Sequence, residues 1–205
     1  MIRLVFLLTA ALILLSHGSP SSKAADPDVD NLIKQVRERS SDYDKLTKLL
    51  SDESQSVKLA AFDTMVDSGN DSLFKMAVDH GLESDDAAVR SRALKAIVFS
   101  MNSIQVQVDP SDLTEDERKY LMNALSFSFF SKLNKENCIN LDRKKEFCWP
   151  DRNLTVSGQT VTIAYKYNAG LRWGGTFRLD SSRRLRGDFY HSRLTRPIAA
   201  FIDLY

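Results

Sequence analysis

The sequence holds only two cysteines and three histidines. That scarcity removes most metal chemistry at the outset. There is no Cys-Xaa-Xaa-Cys pair, no zinc-like cysteine set, no His-Glu-Xaa-Xaa-His and no acidic loop with calcium-ligand spacing. A glycine-rich phosphate loop ahead of a helix is missing, and so is a Gly-Xaa-Ser-Xaa-Gly nucleophile elbow. No catalytic residue, metal or cofactor is assigned, and a non-enzymatic role is the expectation. Long apolar runs are scarce too, because only one exists and it lies at the start of the chain.

That run occupies residues 4–15, interrupted only by Thr9 and preceded by Arg3. Ser16, His17, Gly18, Ser19 and Pro20 break it. Ser22-Lys23-Ala24 then places small residues at the −3 and −1 positions of a cleavage site, with Ser16-His17-Gly18 as a second site. The pattern is that of a secretory signal over residues 1–24. A retained anchor is the alternative, but the run is shorter than the roughly 18 residues a spanning helix needs. No cysteine follows it for lipoprotein processing. The mature chain is expected to be soluble, not membrane-spanning, and periplasmic or secreted.

The mature length suits one domain or two small ones, against a usual ~100–200 residues per domain. Net charge is close to neutral at +1, but the halves differ. Residues 26–110 carry ten basic and sixteen acidic side chains, a net of −6, whereas residues 131–205 carry fourteen and seven, a net of +7. An acidic front and a basic rear constrain partners and the fit of one half to the other. The cysteine pair, Cys138 and Cys148, predicts a disulfide in an exported chain.

Residues 26–102 read as helical. Val29, Leu32, Ile33 and Val36 fall on one helical face, and Tyr43, Leu46, Leu49 and Leu50 form a second stripe. An internal repeat with an offset of 32 follows. It carries Val57 to Val89, Lys58 to Arg90, Ala61 to Ala93, Met65 to Ile97 and Val66 to Val98. Each unit opens with an acidic turn, Asp52-Glu53-Ser54 or Ser84-Asp85-Asp86. Over residues 43–99 this resembles a HEAT-like helical repeat. The resemblance implies antiparallel helix pairs and a binding surface, and it implies no chemistry. Two units fall short of the three or so that a solenoid needs, so the rest of the chain must cap them.

Residues 103–133 read as a linker and a helix. Ile104, Val106 and Val108 alternate with Gln105 and Gln107, and Asp109 to Asp112 form a loop. Thr114 and Glu117 form a capping box for a helix through Tyr120, Leu121, Ala124 and Leu125. Residues 126–133, with Phe127, Phe129 and Phe130, fit a helix end or a strand. From residue 134 to 205 the chain reads as an Arg-rich antiparallel β domain. Val161, Ile163, Tyr165 and Tyr167 share one face, and turns are marked at Ser157-Gly158-Gln159, Asn168-Ala169-Gly170 and Asp180 to Arg183. Gly174-Gly175 predicts a bulge. Strands are expected over 171–179, 185–190 and 198–204. The fold class is α+β: N-terminal antiparallel helical hairpins, HEAT-like, followed by an antiparallel β meander with one disulfide.

Candidate chemistry is thin. His80 reads as a helix-end residue. Ser181, Asp188 and His191 can be assembled into a triad only on paper. Acidic residues 79–86 read as an inter-helix turn whose Asp and Ser cap the next helix. The best lead is basic: Arg183, Arg184, Arg186, Arg193 and Arg196, with Arg172 and Arg178 nearby and Trp173, Tyr190 and Phe189 beside them. Guanidiniums grip carboxylate and phosphate in bidentate fashion, and aromatics stack on sugars. A solvated sheet face describes the same residues. Such a group needs solvent, an external anion or the acidic front half to offset its self-repulsion. Asn70-Asp71-Ser72 and Asn153-Leu154-Thr155 are sequons, relevant only in a eukaryotic host.

The function expected is that of an exported interaction or structural protein, bacterial and periplasmic or secreted. Its partner would be a protein or an anionic envelope component, with nucleic acid not expected. The first alternative is a binding module for an anionic glycan or lipid through the basic β domain. The second is an unrecognised hydrolase.

Overall fold

The computed structural model describes residues 28–109, 111, 113–121, 125–143, 147–167 and 170–205, without the side chains of Tyr120 and Asn134. The leader at 1–24 with His17, the turn residues 168–169, Ala124 and two residues of the 109–112 loop therefore lie outside the described residues. The chain divides after Ser41 into two units. Residues 28–41 are the described part of the first, and Asp42–Tyr205 make the second.

The first helix, α1, runs Val29–Leu50, so the two apolar stripes belong to one element. In the first unit Val29, Leu32, Ile33 and Val36 are all exposed. In the second unit Leu50 is buried and Leu46 packs on the core, while Leu49 stays at the surface.

Three shorter helices follow: α2 Gln55–Val66, α3 Asp71–Glu83 and α4 Ala87–Ser100. Their starts are written locally. The Asn70 side chain accepts the N–H groups of Ser72 and Leu73, and Asp86 accepts those of Ala88 and Val89. These bonds satisfy amides that a helix start leaves unpaired. Ser54 makes no such bond for α2; instead Asp52 accepts the Ser54 N–H. The Asp86 carboxylate also takes the Gln55 amide at 2.9 Å, which ties the start of α2 to the start of α4. Ala93 is fully buried, and a Cβ on Gly81 would collide with its methyl and press on the Phe62 ring. Small residues thus let α3 and α4 approach closely. Ala61, the repeat equivalent of Ala93, is only half-buried.

Residues 103–133, read as linker and helix, hold short strands as well: β1 Ser103–Gln105, β2 Gln107–Val108, α5 Glu115–Leu121, β3 Ser126–Ser128 and β4 Ser131–Leu133. The capping box forms: Thr114 N–H donates to Glu117 at 2.9 Å, and Glu117 N–H donates to the Thr114 hydroxyl at 3.3 Å. The ambiguous stretch 126–133 is extended, with Phe127 buried and Phe130 exposed.

The remaining strands are β5 Cys138–Asn140, β6 Arg152–Ser157, β7 Thr160–Lys166, β8 Arg172–Leu179, β9 Arg184–His191 and β10 Ile198–Asp203. The sheet order is β2-β10-β9-β8-β7-β6-β5-β4, antiparallel throughout. The expected meander runs from β6 to β10; β5 and β4 extend it at one edge and β2 at the other. The disulfide joins Cys138 on β5 to Cys148 in the β5–β6 connection, with Cα atoms 6.3 Å apart. Inward side chains Leu154, Val156, Val161, Ile163, Phe177, Leu185 and Phe189 share one core with the helices. Each such burial stabilises by roughly 1.5–3 kcal/mol before entropy is counted.

The bulge expected at Gly174-Gly175 is not there. Register is unbroken from Thr160↔Arg178 to Lys166↔Arg172. The glycines answer to neighbours instead. Gly174 has φ +155°, where a Cβ would strike the Ile163 carbonyl oxygen. The Phe177 ring covers Gly175, and Phe177 pairs with Gly187 on β9, while Gly175 pairs with Phe189. Large and small residues alternate diagonally, so both rings fit under the helices.

Candidate functional site

The arginine and aromatic residues singled out above do not form one site. Arg183, Arg184 and Arg186 surround the β8–β9 turn. Trp173, Tyr190, Arg193 and Arg196 lie at the far end of those strands, about 20 Å away at ~3.3 Å per residue. Strand alternation also parts Trp173, on the inner face with Phe177, from Tyr190, on the outer face with Arg186.

The turn is built on Asp180. Its carboxylate accepts the N–H groups of Ser182 and Arg184, the Ser182 hydroxyl and the Arg186 guanidinium, the last at 2.6 Å. Partial burial pushes the Asp180 carboxyl up, but these bonds outweigh it and hold it at about 2. Arg183 sits in the left-handed region at φ 61° and points its side chain at α3. Its guanidinium lies 3.2 Å from Glu83 and 3.9 Å from Asp79. Asp79 also takes Lys75 at 2.7 Å and the Tyr205 hydroxyl at 2.6 Å. Burial raises the Asp79 carboxyl, whereas Lys75, Tyr205 and Arg183 together bring it below its ordinary value. Arg184 pairs across the ladder with Asp203 at 2.7 Å and lies over the Phe201 ring. Each of the three arginines therefore faces a carboxylate of this chain. Arg183 and Arg184, with Lys75 and Ser182, line an open crevice of about 610 Å³, and Arg186 lies outside it.

At the other end, Arg152, Tyr165, Trp173 and His191 form one row across β6 to β9. The Arg152 guanidinium lies 5.9 Å from the Tyr165 ring, Tyr165 is 4.8 Å from Trp173, and Trp173 stacks on His191 at 5.5 Å. His191 is buried, its Nδ1 accepts the Arg193 N–H, and burial with the Arg193 charge lowers its pKa. Its ring is a stacking partner for Trp173. Asp188 points to the opposite face, and Ser181 lies at the opposite end of β9, so no triad forms. His80 ends α3 with Nε2 3.1 Å from the Ser51 hydroxyl. Among the described residues no three His, Cys, Asp or Glu side chains are placed to hold a metal. Arg196 lies near Glu117, whose carboxyl is lowered first by the Thr114 N–H and then further by the Arg196 charge.

Two features were not legible in the sequence. The aromatic row depends on cross-strand register, which residue patterns alone do not give. The second is an apolar groove of about 360 Å³ between the last turn of α1 and one side of α2, formed by Leu46, Leu49, Val57, Ala60 and Ala61 with Ser56 and Thr64. Val57, Ala60, Ala61 and Thr64 follow helical i, i+3, i+4, i+7 spacing, the one signal that marks this side of α2 as a face.

No helix of the described residues is long and apolar enough to cross a membrane. No family model, curated protein or solved structure matches the chain.

Proposed function

We propose that this chain is an exported interaction protein, freed of its leader by cleavage near Ala25, that docks a basic amphipathic helix of a partner protein. The observation that carries the reading is the groove of Leu46, Leu49, Val57, Ala60 and Ala61. Alanines along one wall let a second helix approach closely, as small residues do between α3 and α4. The helical half around it is acidic, which favours a basic partner and steers its approach. The Gln55–Asp86 tie between the two turn segments supports reading α2 and α4 as equivalent members of a HEAT-like pair. The Cys138–Cys148 disulfide supports an oxidising compartment.

The test is a pull-down from native envelope or secretions with the mature chain and its Ala60→Glu variant. The wild type should retain a protein that the variant loses, with both melting alike. Equal recovery by the two would overturn the reading.

A second reading rests on the crevice lined by Lys75, Arg183 and Arg184, which would take an anionic glycan or lipid head group. It requires the ligand to displace Asp203 and the α3 carboxylates. Replacing Arg183, Arg184 and Arg186 with Gln should then remove salt-sensitive binding of a heparin-like polymer or anionic vesicles while the melting temperature holds.

A further inference from the structure

Among the described residues, strand β3 is open on one side from Ser126 to Ser128. It pairs only with β1, and among the described residues no other strand joins it. The Val106 N–H donates to the Leu125 carbonyl at 2.8 Å, and the Phe129 N–H donates to the Asn102 carbonyl at 2.9 Å. Hydrogen-bonded and non-bonded pairs alternate along an antiparallel ladder. The bonds therefore fall at 102/129, 104/127 and 106/125. The N–H and C=O groups of Ser126 and Ser128 point the other way, off the free edge. Both serines are exposed.

That edge borders a cleft of about 200 Å³, walled by Phe127, Phe130, Leu141, Tyr165 and Trp173. Phe127 meets Tyr165 edge-on at 5.9 Å, and Tyr165 packs on Trp173, so the walls are held by the end of the inner sheet face. The cleft has room for one large side chain. Two guanidiniums stand at its rim: Arg143 lies 5.5 Å over the Phe130 ring, and Arg152 lies over Tyr165. Asp142 answers Arg152 at 2.9 Å, so among the described residues at the rim the two guanidiniums outnumber the one carboxylate.

We propose that β3 accepts an added strand from a partner protein, an extended acidic segment that places one large apolar side chain in the aromatic cleft. Donor and acceptor groups repeating every second residue match the main chain of another β-strand, and neither a sugar nor a lipid head group offers that alternation. Main-chain bonds to an open edge supply affinity in such strand addition, and a side-chain pocket beside the edge supplies specificity. The rim cations select acidic flanks. This surface is separate from the helical groove and does not depend on it.

The test displays random short peptides on phage against the mature, disulfide-bonded chain. Enriched peptides should share one aromatic or large aliphatic residue with Asp or Glu beside it. A synthetic copy should lose about tenfold or more in affinity for Ser128→Pro, because proline removes an outward N–H that the β1 ladder does not use. Phe130→Ala, at an exposed ring, should weaken it comparably, and it decides the matter if the proline variant fails to fold. N-methylation along the peptide should cost affinity at every second residue only. The proposal is overturned if no peptide enriches, or if enriched peptides bind both variants as tightly as wild type. It is equally overturned if sedimentation shows the chain self-associating through this edge in a Ser128→Pro-sensitive way, since the occupant is then a second copy.

Discussion

The Arg183 guanidinium lies 3.2 Å from the Glu83 carboxylate, joining the β8–β9 turn to the last turn of α3. Arg183 comes from the basic rear of the sequence and Glu83 from its acidic front. The charge asymmetry is thus met in part within the chain itself. Both side chains are substantially exposed, so the pair is worth little alone, about 0–1 kcal/mol. A double-mutant cycle of Arg183→Gln and Glu83→Gln should give a coupling in that range that shrinks as salt rises. Strictly additive effects at low salt would mean that the pair contributes nothing to stability.

Asp180 predicts an acid limb. Its carboxyl is held at about 2 when folded, below the ~3.9 of an unfolded chain. Between those values the unfolded state binds more protons, so stability rises with pH. The contribution is full above about pH 4 and fades as pH falls toward 2. Denaturant titrations from pH 2 to 5 should show a shallower acid limb in Asp180→Asn. An unchanged limb would place the titration elsewhere.

The glycines of β8 and β9 should be intolerant for different reasons from those at turns. A Cβ on Gly187 would overlap the Thr176 carbonyl across the ladder, and no side-chain motion relieves that. Gly187→Ala should cost more than about 3 kcal/mol or prevent folding. Gly158 has φ +55° with open space around it, so Gly158→Ala should cost only about 1 kcal/mol. Equal costs in chemical denaturation would contradict the close-approach account.

Ala93 and Ala61 separate in the same way. Ala93→Leu should destabilise by roughly 1–3 kcal/mol, because Ala93 is fully buried and its methyl faces Gly81 of α3. Ala61 lines the α1–α2 groove, so Ala61→Leu should be near neutral in stability and should fill the groove. A large loss at Ala61 would show that the groove is not open.

Local signals were the legible ones. Thr114 and Glu117 state their helix within four residues, and Val161, Ile163 and Tyr165 state their strand by alternation. The three-residue strands β3 and β4 are too short for a period to develop, and three phenylalanines in residues 127–130 suit a helix end as well as a strand. Gly174 and Gly175 carried a clear mark, but its cause lies in Ile163 and Phe177, and only register says so. The partner of Arg183 lies a hundred residues upstream in α3, and nothing near Arg183 in sequence names it. The α1–α2 groove was hidden for a similar reason, since Leu46 and Leu49 read as members of one helical stripe and nothing near them in sequence names α2 as their neighbour.

The most direct measurement places a photo-crosslinking phenylalanine analogue at Ala60 and irradiates the chain in its native compartment. The account predicts a discrete protein adduct that disappears when Leu49→Glu puts a charge in the groove, while the same analogue at Thr176 on the outer sheet face gives none. No adduct at Ala60, or the same adduct from Thr176, would contradict a partner docked between α1 and α2.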